Sequence, residues 1–87
     1  MTESLGYLEV PFLSITCVVA DIAAKSGDVR ILGFEPTGME TIVIRLAAKS
    51  VAALESALQA GRETAERLGV KSIPCAVARP TEPEFHL

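Results

Sequence analysis

Apolar residues fall into six runs whose spacing alternates between the pattern of strands and that of helices. Apolar runs of strand length cover about residues 5–10, 29–35, 41–47 and 73–78, and the two middle runs are rich in β-branched residues, which is typical of strands. Apolar positions that recur every three or four residues, typical of amphipathic helices, cover about residues 13–26 and 50–68. The pattern therefore predicts the element order β-α-β-β-α-β.

Residues at the ends of these runs support the assignment. Ser14 is a candidate N-cap of the first helix, and Gly27 follows its end. Ser50 and Gly69 are placed in the same way around the second helix. Pro74 lies inside the last strand and indicates a sheet edge, because proline cannot donate a ladder hydrogen bond.

The predicted order is the split βαβ arrangement, an α+β fold of the ferredoxin-like type. Right-handed crossovers place both helices on one face of a four-stranded antiparallel sheet, with the first and third strands in the centre. The second and third strands are nearly continuous in apolar residues, which fits strands that lie in the sheet interior or are covered on both faces. Arg45 in the third strand must then reach water or a carboxylate. We expect one domain over residues 1–80 and an extended, proline-rich tail over residues 81–87.

The composition predicts an oligomer. Hydrophobic residues make up 49% of the 87 residues, mostly aliphatic, although a domain of this size buries a comparatively small fraction of its surface. The mean hydropathy is +0.39. We interpret the apolar surplus as a subunit interface.

Charge and the N-terminus exclude several classes of protein. The net charge of −3 and the lack of a basic run argue against a nucleic-acid partner. No apolar stretch reaches the roughly 18 residues that a membrane span needs. The first residues lack the positive region of a signal peptide, so we expect a cytoplasmic protein without a membrane partner.

No constellation of residues points to catalysis or metal binding. His86 lies one residue from the C-terminus, where disorder is common, and Ser14 and Cys17 have no evident base. Cys17 and Cys75 are predicted to be reduced and to pack like small apolar groups. We expect no enzymatic activity, no metal and no cofactor.

The loop between the second and third strands is the first candidate site. Pro36 and Gly38 supply turn chemistry, and Gly38 is the residue best able to adopt a positive φ. The tip also carries Met39 and Glu40, although a loop tip is normally small and polar. Loops often carry function, so this tip is a functional candidate. The alternative is that Met39 packs against its own domain.

Five short motifs follow one another along the chain in a defined order. They are Leu5-Gly6-Tyr7-Leu8-Glu9, Asp21 with Lys25, Gly33-Phe34-Glu35 with Gly38, Val51-Ala52-Ala53-Leu54 through Ala60-Gly61, and Arg79-Pro80. Together they resemble the single-domain, hexamer-forming branch of the bacterial microcompartment shell family. The resemblance covers about residues 5 to 80.

This resemblance implies a homo-hexamer in the form of a flat tile that meets other shell proteins edge to edge around encapsulated enzymes. It places Lys25 and Arg79 at the tile edge. It also implies a pore on the sixfold axis for small metabolites, lined by the loop residues Pro36, Thr37, Gly38, Met39 and Glu40.

The chain departs from the family at the predicted pore. Members of the family commonly carry a lysine at the position of Pro36, a small residue at Met39 and a glycine at Glu40, and Phe12 also replaces a usual glycine. Six methionines and six carboxylates predict a constricted, apolar-to-acidic pore that disfavours anions.

Two other classes of function stay open at this point. One is a ligand-binding regulatory module of the amino-acid-sensing type on the same fold, which would be dimeric or fused to an enzyme. The other is a small stand-alone enzyme. The size of the oligomer separates a shell subunit from a regulatory module.

Overall fold

The computed structural model describes residues 3–77 and contains the six predicted elements in the predicted order. The elements are β1 (Ser4–Pro11), α1 (Leu13–Lys25), β2 (Val29–Pro36), β3 (Thr41–Ala48), α2 (Val51–Arg67) and β4 (Ile73–Val77). Residue 78, predicted as the end of the last strand, lies outside the described residues, as do Arg79 and the predicted tail over 81–87.

The four strands form one antiparallel sheet in the order β2-β3-β1-β4. The prediction that the first and third strands lie in the centre is confirmed. Pro74 lies in the edge strand β4. A residue without an N–H is tolerated there because only one side of the strand is paired with another strand. Residues of β1 alternate between buried and half-buried, so one face of the sheet is covered and the other is open.

Both helices cover the same face of the sheet. Leu8 of β1, Ile44 of β3, Val19 of α1 and Leu54 of α2 belong to one core cluster and are fully buried. Burying side chains of this size stabilises the fold by about 1.5–3 kcal/mol each. Gly61 makes the close contact possible, because a Cβ there would lie 2.6 Å from Leu8 Cδ2.

The predicted ends of α2 are confirmed. The backbone N–H of Ala53 donates to the side-chain oxygen of Ser50 over 3.2 Å, which satisfies one of the free N–H groups of the first turn. Gly69 has a φ of +89° and donates its N–H to the carbonyl of Glu66. Glycine adopts this conformation without steric cost and ends the helix there.

The predicted N-cap of α1 is wrong. The helix begins at Leu13, so Ser14 lies inside its first turn, and the N-cap residue is Phe12, whose side chain makes no cap hydrogen bond. Because the first helical residue precedes Ser14, the Ser14 side chain is not in the N-cap position. The helix ends at Lys25 with Ser26 as its C-cap, so Gly27 follows its end as predicted.

The buried face of α1 is rotated relative to the prediction. Apolar residues at helical spacing, Ile15, Val18, Val19, Ile22 and Ala23, predict the buried face. Val19 and Ala23 are buried, whereas Val18 is exposed and Thr16 and Ala20 take part in the buried face. Thr16 can be buried because its hydroxyl donates to the carbonyl of Phe12 over 2.8 Å.

β3 lies in the sheet interior, which bears out one of the two predicted alternatives, whereas β2 is neither an interior strand nor covered on both faces. Ile44 and Leu46 of β3 are buried on the helix side. β2 lies at the sheet edge with a register irregularity between Ile31 and Gly33. Leu32 and Phe34 are exposed. A single chain therefore leaves apolar side chains of β2 uncovered, because no further strand or layer packs against them within residues 3–77.

The cysteine prediction is also wrong in one respect. Cys17 and Cys75 are free thiols, but both are exposed and neither packs as a core residue. Cys17 points away from the core side of α1, and Cys75 pairs with Tyr7 on the open face of the sheet. Neither described helix is long and apolar enough to cross a membrane.

Candidate functional site

The loop between β2 and β3 is a tight turn held by its own hydrogen bonds. The backbone N–H and the hydroxyl of Thr37 both donate to the carbonyl of Thr41, each over 3.1 Å. The N–H of Met39 donates to the Thr37 hydroxyl over 3.3 Å. Gly38 has a φ of +87°, as predicted for this turn. The predicted loop residues are therefore brought together in one defined structure.

Met39 is the most exposed large apolar residue of this loop. Its relative exposure is 80%, so its side chain projects from the tip. The alternative prediction, that Met39 packs against its own domain, is wrong. An apolar side chain this exposed needs a reason beyond the stability of a single chain.

A second contact ties the loop tip to the start of α1. The backbone N–H of Phe12 donates to the carbonyl of Glu40 over 2.9 Å. Phe12 and Glu40 have φ values of +67° and +66°, and they are the only two non-glycine residues with positive φ in the part of the chain that is described. Such a conformation costs on the order of 1–3 kcal/mol per residue. The strain is therefore concentrated at the two ends of one hydrogen bond.

An apolar pocket lies between the start of α1 and the β2–β3 loop. Its volume is about 360 Å³, and its walls are Phe12, Leu13, Pro36, Gly38, Glu40, Thr41 and Ile42. Glu40 is the only charged residue among them. This pocket was not predicted from the sequence. The signal for it was the pair of large apolar residues directly after Pro11, which lie outside the predicted buried face of the first helix.

Lys25 lies at the other end of α1 from the loop. Its Nζ is 2.9 Å from the Asp21 carboxylate, one turn earlier, and the side chain is 71% exposed. Leu13 and Lys25 are about 18 Å apart along the helix axis, at 1.5 Å per residue. The predicted site residues therefore form two separate groups, one at each end of the helix. Arg79, the predicted companion of Lys25, lies outside the described residues.

The open face of the sheet carries charged side chains. Arg45 of β3 lies 3.6 Å from the carboxylate of Glu35 on β2, which confirms that this arginine reaches an acidic partner. Tyr7 is its neighbour on β1. A second ion pair joins Arg30 to Glu3 at the other end of β2. These pairs are solvent-exposed, so each stabilises the fold by at most about 1 kcal/mol.

Within residues 3–77, no three metal-ligating side chains of the types His, Cys, Asp and Glu come together. The arrangement around the loop consists of an apolar tip, an apolar pocket and one carboxylate. Such an arrangement suits contact with another molecule.

Comparisons with known proteins give a consistent result. The family model described as the BMC domain matches residues 4–78. Over 81 residues the chain is 36% identical to the bacterial microcompartment shell protein PduK of Salmonella typhimurium (strain LT2), a match that covers 92% of this chain and 50% of PduK. The chain thus spans about half the length of this curated relative.

The fold has a counterpart among solved structures. The crystal structure of a microcompartments protein from Desulfitobacterium hafniense superposes with a TM-score of 0.80, covering 94% of this chain and 44% of that chain. The two sequences are 23% identical. The likeness at this level of identity establishes the fold.

Proposed function

The chain belongs to the BMC-domain family of bacterial microcompartment shell proteins, and we propose that six copies of it form a flat shell tile with the β2–β3 loops around the sixfold axis. Shell proteins of this family are structural and not enzymes. The observation that carries the proposal is the hydrogen-bonded loop whose apolar tip, Met39, projects into solvent. Other shell proteins would meet the tile at its edges, and encapsulated enzymes would lie behind it.

The amount of exposed apolar surface supports assembly. Eight large hydrophobic residues are exposed in the described part of the chain, namely Phe12, Leu13, Val18, Leu32, Phe34, Met39, Leu68 and Ile73. A monomer of this size has little reason to leave so many in water. The molecule is also thin, with principal extents of 36 × 27 × 15 Å, which suits a flat tile.

We place the tile edge at the C-terminal end of α1. Lys25 is 71% exposed there, so its ammonium group is accessible to a neighbouring tile. The opposite end of α1 lies at the loop, so a loop on the axis leaves Lys25 near the periphery. Arg79 belongs to the same edge by resemblance to the family.

The loop composition supports a constricted pore that disfavours anions. Sixfold symmetry repeats each loop residue as a ring, so one side chain sets the width and charge of the opening. Met39 is large and flexible, and Glu40 adds six carboxylates close to the axis. Pro36 and the Thr37–Thr41 hydrogen bonds limit how far the loop can adapt.

An experimental structure of the assembly tests the pore. We expect six loops around the axis and a narrow opening bordered by the loop tips that carry Met39 and Glu40. A wide passage lined by backbone amides would refute the constricted pore. A structure of the Met39→Ser variant is the matched control, since it removes the large side chain and should widen the opening without moving the loop backbone.

The charge of the pore has its own test. The measurement is the ion conductance of tiles inserted into a planar lipid bilayer, where the reversal potential in a salt gradient gives the cation-to-anion preference. We expect a preference for cations that falls at least twofold in Glu40→Gln, because the substitution removes six carboxylates without changing size. An anion preference in the original protein would contradict the proposal.

A further inference from the structure

We propose that the Met39 side chain of each subunit inserts into the apolar pocket of the next subunit around the ring. The pocket is the one bounded by Phe12, Leu13, Pro36 and Ile42. This inference rests on the proposed six-membered assembly and names the contact that closes it at the axis. The occupant is therefore a second copy of this chain.

The chain does not fill this pocket itself. Phe12 and Leu13, which form its wall, are 49% and 64% exposed. Met39 lies on the adjacent loop but does not line the pocket, and it projects into solvent. An exposed apolar side chain, Met39, and an unfilled apolar pocket therefore lie close together on the same molecule.

The backbone of Phe12 gives an independent argument for an occupant. Its φ of +67° is a conformation that glycine adopts freely and a bulky residue adopts only under constraint. In a single chain about half of the residue stays exposed, so packing within the chain compensates only part of this strain. A side chain from a neighbour packed on the ring would supply the missing contact.

Sixfold symmetry brings the Met39 side chain of one subunit close to the apolar pocket of the next. In a ring of six, equivalent atoms of adjacent subunits are as far from each other as each is from the axis. A loop tip near the axis is therefore equally near the loop of its neighbour, and Gly38 and Glu40 of that loop border the pocket. The contact joins different surfaces of the two copies, as a closed ring requires.

The chemistry of the two partners matches. Methionine is unbranched and flexible, so it fills irregular apolar spaces, and its sulfur packs favourably against an aromatic ring such as that of Phe12. The inserted group is neutral, so no charge is buried, and the Glu40 carboxylate stays exposed at the rim. The six side chains then narrow the opening by filling the gaps between adjacent loops.

Disulfide trapping between subunits tests the contact. The full chain carries Met39→Cys and Leu13→Cys together, in a background where the exposed Cys17 and Cys75 are replaced by serine. Mild oxidation should give a ladder of linked chains up to six on a non-reducing gel. The matched control replaces Leu13→Cys with Asp28→Cys, an exposed position beyond the far end of α1, and should give no ladder beyond linked pairs.

The outcomes separate this contact from the assembly itself. A six-subunit mass without a ladder from the chain that carries Met39→Cys and Leu13→Cys would overturn the contact and leave the proposed tile intact. A monomer or dimer by native mass would overturn both. A ladder in the test chain, absent from the Asp28→Cys control, supports the contact.

A second measurement uses the size of the side chain. Met39→Ser should raise the subunit concentration at which half of the assembly dissociates by about tenfold, because roughly two buried methylene groups are lost at each contact. Met39→Leu keeps the apolar volume and should change this concentration less than about threefold. If half of the assembly dissociates at the same subunit concentration in Met39→Ser and in the original protein, the contact is also overturned.

Discussion

Phe12 and Glu40 show how single residues set the shape of the proposed pore. Both adopt positive φ values, and the hydrogen bond from the Phe12 N–H to the Glu40 carbonyl links the strained turn before α1 to the strained end of the loop. Glycine would adopt either conformation at lower cost. The loop tip is therefore held in place at the expense of stability in the single chain, as is common at functional sites.

Glu40→Gly should stabilise the fold. A left-handed conformation costs a non-glycine residue about 1–2 kcal/mol, and the extra chain entropy of glycine offsets roughly 0.5–1 kcal/mol of the gain. We expect the free energy of unfolding to rise by about 0.5–1 kcal/mol, measured by urea denaturation at fixed protein concentration.

The control for this prediction is Glu40→Gln. Glutamine keeps the strained backbone and removes only the charge, so the free energy of unfolding should stay within about 0.5 kcal/mol of the original. A glycine variant no more stable than the glutamine variant would show that the strain at Glu40 is not significant.

The role of a single residue is predictable from the sequence where its side-chain type has one evident function. Gly38 in the turn, Ser50 as N-cap and Arg45 with an acidic partner follow from the chemistry of those side chains. The N-cap of α1 does not follow, because Phe12 has no capping group and Ser14 is the better cap by type. Tertiary contact with the loop determines where that helix begins.

At the scale of elements, the connection between α1 and β2 packs tightly against the start of α2. A Cβ at Gly27 would lie 2.8 Å from the backbone oxygen of Ala53. A backbone atom cannot move aside as easily as the end of a flexible side chain. An added methyl group at Gly27 would therefore push α2 away from the connection. This contact fixes the position of the Lys25 end of α1 relative to the rest of the domain.

Gly27→Ala should therefore destabilise the protein by about 1–3 kcal/mol. Chemical denaturation measures the change. Gly33→Ala is the matched control, because nothing lies within 4 Å of a Cβ at that position and its φ is not in the left-handed region. We expect the control to be neutral or slightly stabilising. Equal effects of the two substitutions would contradict the close contact at Gly27.

Lys25→Ala tests the proposed tile edge. The ion pair with Asp21 is exposed and contributes only about 0.3–0.5 kcal/mol, so the subunit and its six-membered ring should persist. Sheet formation between tiles, observed by negative-stain electron microscopy, should be lost or strongly reduced. Lys71→Ala removes another exposed lysine and serves as the control. If Lys25→Ala breaks the ring itself, Lys25 lies inside the tile.

The order of elements and the sheet topology were predictable because apolar periodicity, glycine and proline act locally. The orientation of α1 was not, because Thr16 satisfies its hydroxyl on a backbone carbonyl and so replaces Val18 on the buried side. The exposure of β2 was also missed, since an apolar strand has the same pattern whether its cover comes from its own chain or from another.

Across the whole molecule, more large apolar side chains are exposed than a single chain of this size normally leaves in water. The core uses the helix side of the sheet, and many large apolar residues stay exposed elsewhere. Family membership gives those residues a reason to be exposed. The pocket beside the loop was not predictable, because its walls come from two segments, residues 12–13 and 36–42, that meet only in the folded chain.

The mass of the assembly in solution, measured by native mass spectrometry, decides whether the chain forms the proposed ring. We expect a species of six subunits, which forms because the exposed apolar surface of each copy is covered by its neighbours. A protein that stays monomeric or dimeric at high concentration would rule out the six-membered tile. A dimer would favour a ligand-binding regulatory module on this fold instead.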